Sequence, residues 1–135
     1  MRAIILCCLL FSVHISVGQL PAGSSSAKPW NAKWIAAKGD DGKQYGVFHF
    51  RKSIRLTAKP GVFKVHVSAD NRYKLFVNGT LVSLGPARGD THFWNYETLD
   101  LAPYLTAGKN VVSALVFNEA EYRPEAQISL RTAFI

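Results

Sequence analysis

The chain has 135 residues, 48% of them hydrophobic, and a formal net charge of +7. That length suits one domain, able to bury roughly two thirds of its unfolded surface. Its lysines, from Lys28 to Lys109, stand singly with no basic run. The charge therefore reads as a solvated basic surface, and no nucleic-acid partner is expected.

In chain order, Met1-Arg2 supplies one positive charge, Ala3 to Val17 is almost wholly apolar, and Ser16-Val17-Gly18 offers small residues for cleavage. This predicts a signal peptide over 1–18, cut after Gly18. The rival, a membrane anchor, is disfavoured because the run is shorter than the ~20 residues a bilayer needs and carries His14. The product is expected outside the cytoplasm, periplasmic or extracellular, with no membrane attachment after cleavage. Losing Arg2 lowers the net charge to +6. Both cysteines, Cys7 and Cys8, fall in the removed segment, so the exported domain is expected to hold no thiol, disulfide or cysteine metal site.

Residues 19–29 (Gln-Leu-Pro-Ala-Gly-Ser-Ser-Ser-Ala-Lys-Pro) read as a flexible leader, too poor in apolar side chains to pack. The domain is expected over 30–135, with Trp34 and Ile35 capping one end of the core. Lys38 to Lys43 is a turn cluster. Tyr45 to Leu56 alternates, with Phe48, Phe50, Ile54 and Leu56 on one face. Val65 to Ala69, Tyr73 to Val77 and Leu81 to Leu84 read as an antiparallel meander, reversed at Asp70-Asn71 and at Asn78-Gly79. Asn-Gly is the strongest of these turn signals, because both residues tolerate the positive φ of a type I′ turn. Gly85-Pro86 stops the third strand, and a polar loop runs to His92.

Phe93 to Thr98 is predicted as an aromatic strand. Asp100 to Leu105 reads as one helical turn with Asp100 as its cap, closed by Gly108. Asn110 to Asn118 alternates, and Ala126 to Phe134 is predicted as a last strand with Ile128, Leu130 and Phe134 inward. Seven or eight short strands with hardly any helix predict an all-β fold, an antiparallel β-sandwich. The chain stops at Arg131 to Ile135 with no polar tail, which reads as a fragment of a longer polypeptide.

Chemistry-bearing residues are sparse. His49, His66 and His92 lie on separate elements with no ligand spacing, so neither a metal nor another cofactor is expected. Asp70 and Asp90 sit in turns beside Arg72 and Arg88, where an ion pair or a turn bond is the simple use. Arg88-Gly89-Asp90 is formally an integrin-type tripeptide, but Gly89 as a hinge with an Arg–Asp pair is the simpler account. Sugar recognition pairs an aromatic platform with planar polar groups. Arg88, Asp90, His92 and Trp94, with Asp70, Asn71 and Arg72 at the end of the meander, offer both. Trp94 and Tyr96 could equally be core residues, and Arg88 and Asp90 could equally dock the domain onto a neighbour.

Several segments occur in a telling order: Tyr45-Gly-Val-Phe-His-Phe-Arg-Lys52, Ser68-Ala-Asp-Asn-Arg-Tyr-Lys-Leu-Phe-Val-Asn-Gly79, Gly85-Pro-Ala-Arg-Gly-Asp90, Trp94-Asn-Tyr-Glu-Thr98 and Gly108-Lys-Asn110. Together they resemble the N-terminal β-sandwich of bacterial α-L-rhamnosidases of glycoside hydrolase family 78, over about Ala32 to Ile135. The resemblance implies a galactose-binding-like jelly roll serving as an accessory domain. It implies two partners: a rhamnose-containing glycan, and a catalytic (α/α)6 domain of the same polypeptide that follows this one. An inverting glycosidase needs two carboxyl groups ~6.5–9.5 Å apart around a water. No such dyad can be argued from the spacing of the nine acids here, so no catalytic residue is expected. A self-standing carbohydrate-binding module and a ligand-free structural sandwich are the alternatives.

Overall fold

The computed structural model describes residues 30–135; the expected signal peptide (1–18) and leader (19–29) lie outside the described residues. Six strands form: β1 (Gly46–Leu56), β2 (Lys64–Val67), β3 (Arg72–Val77), β4 (Thr80–Gly85), β5 (Glu97–Asp100) and β6 (Gly108–Asn118). Single 3-10 turns cover Ala102–Tyr104 and Ala120–Tyr122. A four-stranded sheet runs β1-β6-β3-β4, a two-stranded sheet pairs β2 with β5, and every pairing is antiparallel. The chain is all-β.

Alternation explains the core. Tyr73, Leu75 and Val77 of β3 and Ala114 and Val116 of β6 point one way, and each is at most 3% exposed. Phe48, Phe50, Ile54 and Leu56 of β1 flank them from the same face. Val67 of β2 and Leu99 of β5 close the other side, joined by Leu101 and Leu105 around the first 3-10 turn. Removing a side chain such as Leu75 from this layer costs about 2–5 kcal/mol.

The Asn78-Gly79 turn forms as expected, with φ of 51° and 84°. Asn78 also does what its dipeptide signal does not reveal. Its amide donates to the Tyr104 carbonyl (2.9 Å) and to Asn110 Oδ1 (2.8 Å), and its Oδ1 accepts from the Val111 N–H (2.9 Å). The hairpin tip is thereby tied to the start of β6.

Four expectations need correction. The three-strand meander does not exist: β3 pairs with β4, but β2 joins the other sheet. The physical reason lies in residues 68–70, whose backbone bonds to the C-terminal segment. Ser68 exchanges two bonds with Ile135, and the Asp70 N–H donates to the Ala133 carbonyl. Next, Phe93 to Tyr96 is not strand. The Asp90 carboxylate accepts from the His92 and Phe93 N–H groups, and the Asn95 side-chain amide donates to the Arg88 carbonyl, so the ladder starts only at Glu97.

Likewise, Ala126 to Phe134 forms only isolated bridges, Phe134 to Ile35 and to Ala69. Its polar side chains and N–H groups are bound elsewhere: Ser129 and Leu130 to Asp70, and Thr132 to Gly42. Ile128 and Leu130 face outward, whereas Phe134 stacks on Phe50 at 5.7 Å. Finally, Trp34 and Ile35 do not cap the core. They are 43% and 50% exposed.

Candidate functional site: an aromatic face

The corrections converge on one place. The segment from Trp30 to Ala36, the loop from Pro86 to Tyr96 and the last residues of the chain meet beside β2. The loop is held there by several bonds. Ser68 Oγ donates to the Asn95 carbonyl (2.7 Å), and Glu97 Oε1 accepts from the Ala87 N–H (3.0 Å). Glu97 Oε2 accepts from the buried Tyr73 hydroxyl (2.6 Å). Burial, followed by that bond, pushes the Tyr73 hydroxyl well above its ordinary range. Gly89 lies so close to the returning chain that a Cβ there would run into the Phe93 carbonyl. The Gly85-Pro86 peptide is cis.

Held this way, Trp94 sets its ring edge-on to Trp34, with centroids 5.9 Å apart. A cleft of about 350 Å³ opens beside the pair, lined by Trp34, Ile35, Ala36, Asp70, Trp94, Leu130, Arg131 and Ala133. A second, of about 270 Å³, lies across the same two indoles and adds Trp30, Ser68, Tyr96 and Ile135. Trp30 packs edge-on to Tyr96 at 4.9 Å and stacks on His66 at 5.6 Å. The result is a continuous aromatic face.

The expected site residues divide. Asp70 and Trp94 line the first cleft. Asp70 is 3% exposed, and its carboxylate accepts from the Ser129 hydroxyl and the Leu130 N–H. Asn71, equally buried, donates to Ser129 Oγ (3.0 Å). Arg72 donates to the Pro86 carbonyl (2.8 Å). These three brace the loops that shape the cleft. Arg88, Asp90 and His92 do not line it.

No Arg88–Asp90 or Asp70–Arg72 ion pair forms. Asp90 instead makes a turn with its own following N–H groups, and the His92 ring nitrogen lies 3.9 Å from its carboxylate. Sequence reasoning missed Trp34, Arg131 and Glu97 as contributors. Trp34 stands in an irregular segment with no periodicity to read, and Glu97 opens a strand like any surface acid. Among the described residues, no three His, Cys, Asp or Glu side chains come together as metal ligands.

An all-β domain that carries a surface aromatic face is the class these features define. No family model matches the chain, and no curated protein matches it. Solved structures do. A glycoside hydrolase family 78 rhamnosidase of Bacillus sp. GL1 superposes with a TM-score of 0.71 at 28% identity, over 79% of this chain and 11% of that one. The α-L-rhamnosidase of Dictyoglumus thermophilum gives a TM-score of 0.57 at 21% identity, covering 78% and 14%. A Streptomyces avermitilis α-L-rhamnosidase, solved with L-rhamnose, gives 0.50 at 18%, covering 77% and 12%. The chain thus spans between a tenth and a seventh of the length of these enzymes. Its fold is similar to one segment of these rhamnosidases.

Proposed function

We propose that this chain is the accessory N-terminal domain of an exported α-L-rhamnosidase-like glycoside hydrolase, of the galactose-binding-like jelly-roll kind. Its aromatic face docks it onto the catalytic (α/α)6 domain of the same polypeptide. The observation that carries this reading is the composition of the face. Trp30, Trp34 and Tyr96 are exposed by 38%, 43% and 51%. Such a contiguous apolar surface marks an interaction site on a water-soluble domain. Its polar partners are few, since both Asp70 oxygens are already bonded within the domain and Arg131 is the one other charged side chain lining the first cleft. A pyranose with several hydroxyls would leave most of them unpaired, at a cost for each.

The second reading, binding of a rhamnose-containing glycan, draws support from the paired indoles and a volume within the ~300–1,000 Å³ usual for ligand sites. Titration with L-rhamnose and aryl rhamnosides separates the two. Docking predicts no saturable change in tryptophan fluorescence, and shielding of the indoles from iodide once the catalytic domain is joined. Saturable sugar binding lost on Trp94→Ala would replace docking with the glycan reading. Unshielded indoles in the joined protein would remove docking outright.

A further inference from the structure

On the opposite surface, the four-stranded sheet gathers charge that the sequence scatters. Its strands contain six Lys and Arg residues (Arg51, Lys52, Arg55, Arg72, Lys74 and Lys109) and no Asp or Glu. Phe50, Ile54, Tyr73, Leu75, Ala114 and Val116 face the core, so alternation turns Arg51, Arg55, Lys74 and Lys109 to the outer face, where each is exposed. Arg55 stands directly opposite Lys109 across the β1–β6 ladder. Like charges so placed repel. Among the described residues no Lys or Arg lies within salt-bridge distance of a carboxylate, so no ion pair there offsets that repulsion. Between the cations runs an apolar stripe of Phe76, Leu115 and Phe117, with Lys74 Nζ 5.6 Å from the Phe117 ring centre.

We infer that this outer face binds a carboxylated polysaccharide. A polyuronate offers regularly spaced carboxylates, which guanidinium groups grip in bidentate fashion. It also offers apolar sugar faces between them, suited to the stripe. Arg51 and Arg55 lie about 13 Å apart along β1, so a polymer can engage several cations where a monosaccharide reaches one. The choice of a glycan over other polyanions rests on the rhamnosidase-like reading above; the unpaired cationic face does not.

Affinity electrophoresis of the chain in gels containing polygalacturonate tests it. Polygalacturonate should retard the chain and neutral galactan should not, with affinity falling about tenfold or more between roughly 50 and 200 mM salt. Arg55→Glu should weaken binding about fivefold or more, while Lys33→Glu, on an exposed segment off the sheet, leaves it unchanged. Because Arg55→Glu places opposite charges across the ladder, its melting temperature should not fall, and lost binding cannot be misfolding. Trp34→Ala should also leave the retardation intact, so this proposal and the docking reading fail separately. No retardation, or retardation that survives Arg55→Glu, overturns the site. Equal binding per charge to dextran sulfate, duplex DNA or phosphatidylserine vesicles overturns the assignment to a carboxylated glycan.

Discussion

Asn110→Ala probes how the tip of the β3–β4 hairpin is locked to β6. Asn110 is fully buried, and its side chain makes four main bonds. Oδ1 accepts from Asn78 Nδ2 (2.8 Å) and the Thr106 N–H (2.9 Å), while Nδ2 donates to the Thr106 (2.8 Å) and Gly108 (3.2 Å) carbonyls. A neutral hydrogen bond contributes about 1 kcal/mol net, and a buried group left unpaired costs about 1–3. Thr106 is exposed, so its freed groups can turn to water. The expected loss is therefore about 3 kcal/mol, a large share of the 5–15 kcal/mol typical of a domain. In urea unfolding the midpoint should fall with the slope unchanged, and the melting temperature should drop by about 12–24 °C. A double-mutant cycle with Asn78→Ala should return a coupling of about 1 kcal/mol from the shared bond. A loss under about 1 kcal/mol, or a coupling near zero, would refute the claim that this pair holds the turn against β6.

Three further outcomes follow from the same structure. Tyr73 keeps its proton more tightly folded than unfolded, where it titrates near 10.0. Its contribution is whole below that value and fades as pH rises above it, so Tyr73→Phe should be less stable at pH 7 yet lose less on titration to pH ~11. The Phe63 and Ala102 N–H groups hold the Asp100 carboxyl below its usual range. Its contribution is present above about pH 4 and lost as pH falls through the lowered value, so Asp100→Asn should flatten the acid limb of melting temperature below about pH 4. Trp34→Ala should cost the isolated domain less than Leu75→Ala, because its ring is 43% exposed and stands outside the core cluster, whereas Leu75→Ala should cost about 2–5 kcal/mol by denaturant unfolding. A large loss at Trp34 would mean that the aromatic face is part of the core.

Wherever structure depended on neighbours in the chain, the sequence determined it. The period-two runs of β1, β3 and β6 and the Asn-Gly turn are set by backbone pleat and local φ preference, and all are legible without a fold. So is the likeness to the rhamnosidase domain, since it rests on the order of short segments. Partnership was decided only in three dimensions. Nothing adjacent to Asp70 says that Ser129 and Leu130 will claim its carboxylate beside the cleft, or that the backbone of Ser68 and Asp70 will bond to Ile135 and Ala133 and so dissolve the meander. Trp34 and Trp94, sixty residues apart, become a site only because a loop pinned by Ser68 and Glu97 carries one ring to the other. Arg55 and Lys109 meet for the same reason: a ladder register is a contact between distant segments, and no local preference encodes it.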